Sequence, residues 1–133
     1  MTTLLLTHPS FIAHDTGPGH PERPDRMRAI DKILAHDAYK YLVRRDAPLR
    51  EDDATYIVMA HRAAHFETMR EVASERSQGL ERIDGDTVVS SGTWEAARRA
   101  VGAGLVAVDA VFTDQADNAF CQVRPPGHHA ESD

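Results

Sequence analysis

The chain has 133 residues, enough for one domain with a real core. Hydrophobic residues make up 41% and charged residues 27%, which excludes an extended disordered chain. The formal net charge is −6, and acidic neighbours dilute the pairs Arg44-Arg45 and Arg98-Arg99, which argues against nucleic acid as a partner.

The opening residues "MTTLLLTHPS" lack a basic segment, and their apolar run is too short for a signal peptide or a membrane span. Together with a single cysteine, which permits no disulfide framework and no cysteine-based zinc site, this points to a reducing, cytoplasmic, soluble setting. Thr3 to Thr7 is a continuous β-favouring run, the pattern of a strand buried on both faces. His8 to Pro24 is rich in His, Pro, Gly and Asp and reads as a long irregular loop of the functional kind. A helix is predicted from Pro24 to His36, with Ile30, Ile33 and Leu34 on one face and a proline in its first turn.

Tyr41 to Arg44 is a second expected strand. Glu51–Ala60 and Ala63–Arg76 follow as two helices, and Ser77 to Ser91 as a polar, turn-rich segment. Thr93 offers an N-cap hydroxyl to the longest helix, with Glu95 in the first turn against the dipole. Trp94, Ala97, Val101, Leu105, Val108 and Phe112 recur at helical spacing, a stripe expected to be buried. Gly102 and Gly104 each cost about 1 kcal/mol of helix propensity, so a packing reason is expected for them. Ala119 to Val123 is a short core strand, with Cys121 as a buried structural thiol. Strands alternating with helices predict an α/β protein with a parallel sheet. Three strands under this many helices would leave exposed edges, so the chain reads as the first part of a larger domain.

"VRPPGHHA" (Val123 to Ala130) leaves the last strand where active-site loops gather in open α/β sheets. Two prolines stiffen it, and Gly127 is expected to permit the bend that turns His128 and His129 to one pocket. Histidine titrates nearest neutrality, so the pair could supply a general base and an electrostatic partner. His20 is expected to order its loop, and His14, His61 and His65 to be structural or exposed.

The string "VRPPGHHAESD" resembles the signature of the zinc-dependent histone deacetylase superfamily, which includes bacterial histone-deacetylase-like amidohydrolases and acetylpolyamine amidohydrolases. "GPGHPERPDRMRAI" (Gly17 to Ile30) and "DGDTVVSSGTWEAARRAVGAGLVAV" (Asp84 to Val108) resemble segments that precede the signature in that family. "MAHRAAHFETM" is a looser match.

The resemblance implies a three-layer arginase–deacetylase fold with a parallel sheet, of which residues 1–133 would be the N-terminal part, truncated after the RPPGHHA motif. It implies Zn²⁺ in the intact protein and hydrolysis of an N-acetyl amide on acetyl-lysine or a related acetylated amine. His129 would be the general base for the zinc-bound water. His128 would hydrogen-bond that water and stabilise charge on the carbonyl. Asp84 would bind substrate backbone, unless it only forms a turn, as Asp86 nearby allows. Arg26 would line an acetate-release channel, unless it lies on the helix surface. The family's metal ligands, an Asp-x-His motif and a separate Asp, and its catalytic Tyr lie downstream of the signature. None of these is in this chain, and the 133 residues alone are expected to be inactive. An acetylpolyamine amidohydrolase is the alternative enzyme, and a non-catalytic binding module the alternative of another class. Self-association is left open.

Overall fold

A computed structural model describes residues 1–74 and 79–131. Three parallel strands form the main sheet in the order β2-β1-β5: β1 is Thr3–Thr7, β2 Val43–Asp46 and β5 Asn118–Cys121. β1 was read from the sequence with the same bounds. β2 begins two residues later than Tyr41 because a short 3₁₀ turn, Asp37–Tyr39, occupies the approach. The central position of β1 explains its composition. Leu4, Leu5 and Leu6 are all essentially solvent-free, as a strand flanked on both sides requires.

Within the expected loop after β1 the chain forms one turn of helix, α1 (Ser10–Ala13), and then enters α2 (Asp25–Leu34) from Pro24. α3 (Asp53–Ala60) and α4 (Ala63–Val72) follow β2. The expected end of α4 at Arg76 lies outside the described residues, as does Ser77. α4 stops at Val72. The turn-rich segment contains a small antiparallel hairpin, β3 (Glu81–Arg82) with β4 (Val88–Val89), which the sequence reading did not anticipate.

The long helix α5 (Thr93–Phe112) lies against β1 and β5. Here the structure corrects the expected packing face. The buried positions are Thr93, Ala96, Gly102, Ala103 and Ala110, of which the three alanines join Leu4, Leu6, Phe11, Met27 and Ala47 in the core. Trp94, Ala97, Val101 and Leu105 are only partly buried, and Phe112 is 84% exposed. Close approach decides the matter. A Cβ at Gly102 would stand 2.1 Å from the Pro48 carbonyl oxygen, so only the slim face can seat here. Gly104 has no such neighbour. The Thr93 hydroxyl does not cap the helix, because Gly92 takes the N-cap position without a side-chain bond.

The same register leaves the far face covered at Leu5 and open at Phe120. Leu4 and Leu6 pair with Ala119 and Cys121 towards the α5 side, whereas Leu5 pairs with Phe120, which is half exposed. Cys121 is itself half-buried, and burial pushes its thiol up from the ordinary value. Among the described residues no helix is long and apolar enough to cross a membrane.

Candidate functional site

Three connections meet at the carboxyl ends of β1 and β5: the loop from 8 to 24, the turn between β3 and β4, and the loop from 122 to 131. The last is built on a buried cation. Arg124 is 1% exposed, and its guanidinium donates to Glu22 through Nε at 2.6 Å and Nη2 at 2.9 Å. Its Nη1 donates to the carbonyls of Phe11 at 2.7 Å and His14 at 2.9 Å. These are carbonyls that the single turn of α1 leaves without helical partners. A planar fork suits this task, since it satisfies a carboxylate and two carbonyls at once.

Glu22 is correspondingly shifted. Burial would raise its carboxyl, but the Arg124 hydrogen bonds and charge overcome this and hold it below the ordinary value. His14 lies beside them, 3% exposed, with Nδ1 2.8 Å from the Thr93 hydroxyl. Burial, and then the Arg124 charge, lower its pKa to about 4. At neutral pH His14 is therefore uncharged, and its 3.7 Å approach to Glu22 is not an ion pair. The Ser90 hydroxyl accepts from the Asp15 N–H at 2.9 Å, and the Thr93 hydroxyl from the Ser90 N–H at 2.8 Å, so α5 opens against this loop.

His128 and His129 stand beside each other at the surface, ring centroids 4.2 Å apart and planes inclined by 56°. The bend that brings them together differs from expectation. Gly127 does not adopt a positive φ, and a Cβ there would meet nothing. The turn is made by the two histidines, closed by the Ala130 N–H donating to the Gly127 carbonyl at 3.0 Å.

Asp84 shapes its own turn. Oδ1 accepts from the N–H groups of Asp86 and Thr87, and Oδ2 from the Thr87 hydroxyl, all at 2.8 Å. Those bonds hold its carboxyl below the ordinary value, the Asp86 N–H contributing most. Arg26 is half exposed and donates to Glu22 Oε1 at 3.1 Å. His20 orders its loop as expected: Nδ1 meets the Glu22 N–H at 3.1 Å, and Nε2 lies 3.0 Å from the Asp86 carbonyl.

The structure thus brings Arg26 to the Glu22–Arg124 pair and His128 to His129. Among the described residues no hydrogen bond or ion pair joins the histidine pair to Asp84 or Arg26. Arg124 and Glu22 are the residues that sequence reasoning missed, while His14 is buried and structural, one of the two roles expected for it. The one signal was an arginine directly following a core strand, where a surface cation is out of place.

The zinc implied by the resemblance finds no holder in these residues. No group of three or more His, Cys, Asp or Glu side chains among the described residues could bind a metal ion. Two exposed histidines without a converging carboxylate fall short of the three ligands a catalytic zinc requires.

Against known proteins, the histone deacetylase domain matches residues 20–133. An uncharacterized protein of Synechocystis, slr0245, is 36% identical over 95% of this chain, which spans 41% of that relative. A histone deacetylase-like amidohydrolase of Pseudomonas aeruginosa is 29% identical over 98% of the chain, which spans 33% of it. The crystal structure of the HDA15 HD domain superposes with a TM-score of 0.85 at 27% identity, covering 99% of this chain and 38% of that one. The matched stretch includes the loop of Glu22, the helix α5 and the histidine pair, and on that basis the chain belongs to the histone deacetylase domain family.

Proposed function

We propose that residues 1–133 are the N-terminal part of a longer deacetylase domain that hydrolyses an N-acetyl amide, on acetyl-lysine or a related acetylated amine. The observation that carries this reading is the family match running through a histidine pair at the carboxyl end of a central-sheet strand. The open face at Phe120 and the short span of each relative support the larger domain.

In the reaction, water adds to the acetyl carbonyl, the C–N bond breaks, and acetate and a free amine leave. His129 takes the proton from the attacking water and returns it to the departing nitrogen. His128 hydrogen-bonds the same water and stabilises the charge growing on the carbonyl oxygen. Asp84 holds substrate backbone, and Arg26 lies along the route by which acetate leaves. The described residues supply no ligand set for zinc, so no step is assigned to a metal here.

The test is hydrolysis by the full-length protein of an acetyl-lysine peptide and of an acetylpolyamine, with His129→Ala beside the wild type. Loss of turnover in the variant with KM little changed is expected, and whichever substrate class is turned over separates the deacetylase from the acetylpolyamine alternative. Retained turnover in His129→Ala would sink the assignment of the base. The second reading is a folded but non-catalytic module, in keeping with the lack of a metal ligand set among the described residues. That reading predicts a cooperative melt with no hydrolysis of either substrate.

A further inference from the structure

Glu22 sits in the loop after β1, yet its bonds reach both other loops at this end of the sheet. Its carboxylate grips Arg124 at two points, 2.6 and 2.9 Å, and is 16% exposed against 1% for the arginine. Its backbone N–H meets His20, which in turn meets the Asp86 carbonyl in the turn that Asp84 organises. Arg124 immediately precedes Pro125-Pro126, whose ring-locked φ angles stiffen the link to His128, with Gly127 its one permissive residue. Beyond the prolines the two imidazoles touch each other at the surface. A displacement at Arg124 therefore reaches the pair through a link stiffened at two of its three residues.

We propose that Glu22 is a positioning residue whose carboxylate, acting through Arg124, sets where His128 and His129 stand relative to the Asp84 turn. The kinetic side of this rests on the hydrolase reading above; the structural side does not. Replacing the carboxylate by an amide removes the charge and one of the two parallel acceptors while keeping the shape. Replacing the guanidinium by an ammonium removes the fork and keeps the charge.

The experiment uses the full-length protein and three variants: Glu22→Gln, Arg124→Lys and Asp53→Asn. Asp53 is the control because it is 2% exposed and bound to Arg98 at 2.6 Å, a buried carboxylate–arginine pair held by α3 and α5 instead of by the three loops. Turnover is measured on acetyl-lysine peptide and acetylpolyamine, alongside thermal melts and the imidazole NMR resonances of His128 and His129. Glu22→Gln and Arg124→Lys should lower kcat roughly tenfold to a hundredfold with KM within about threefold. In both, the imidazole resonances move. Asp53→Asn should melt earlier yet keep wild-type kcat and resonances. Unmoved resonances in Glu22→Gln, or a kcat loss in Asp53→Asn matching its loss of stability, overturns the proposal. If wild-type protein hydrolyses neither substrate, the hydrolase reading falls, and the resonances still decide the role of Glu22.

Discussion

Taking the chain from pH 7 to pH 5 should remove about 2 kcal/mol of folding stability through His14 alone. The folded imidazole is held at about 4, first by burial and then by Arg124, against 6.5 when unfolded. Below 6.5 the unfolded chain takes up a proton that the folded chain refuses. Stability contributed by the neutral ring is whole above that pH and is lost as pH falls towards 4. Each pH unit inside the window is worth about 1.4 kcal/mol, and the first half unit of the descent from 7 lies outside it. Stopping at pH 5 leaves out Glu22, whose folded carboxyl lies below its ordinary 4.5. The assay is urea unfolding followed by Trp94 fluorescence at pH 7, 6 and 5, in wild type and in His14→Gln. The glutamine keeps a polar partner for the Thr93 hydroxyl but cannot titrate. The difference between the two proteins should shrink by about 2 kcal/mol across the range. Parallel loss of stability in both would refute the buried, neutral His14.

The two glycines inside α5 should respond with opposite signs. Gly102→Ala drives a Cβ into the Pro48 carbonyl and should destabilise by about 1–3 kcal/mol despite the better helix former. Gly104→Ala meets nothing and should stabilise by about 0.5–1 kcal/mol, both read from thermal melts. Asp84→Ala should speed hydrogen exchange at the Asp86 and Thr87 amides while leaving that of β1 unchanged. Arg124→Met leaves Glu22 with Arg26 alone and two buried carbonyls without a donor, and should cost about 3–5 kcal/mol, measured by urea unfolding.

The elements whose signal is local were legible in the sequence. β1 announces itself by three leucines between threonines, α2 by its proline start, and α5 by apolar residues recurring at helical spacing. What failed was the choice of face on α5. Periodicity marks the large residues as the buried stripe, but the close approach of the α5 backbone to the Pro48 carbonyl selects the small ones instead. The position of the histidine loop was also legible, because a Pro-Pro-Gly segment after an apolar run has few alternatives. Its anchor was not. Arg124 binds a carboxylate 102 positions away, a pairing that no local pattern encodes. The bend at the pair was assigned to Gly127 on conformational freedom, whereas the histidines make it themselves with an ordinary turn bond.

The place of β1 at the centre of the sheet has a consequence for the order of folding. Leu4 pairs with Ala119, so β1 waits for β5, the last of these five strands in chain order, to complete its ladder. At synthesis rates of roughly 5–20 residues per second, that interval is on the order of ten seconds. Throughout it, one edge of a Leu-Leu-Leu strand stands open. Contacts of this separation make folding slow, and the nascent chain in that interval is the species most in need of a chaperone.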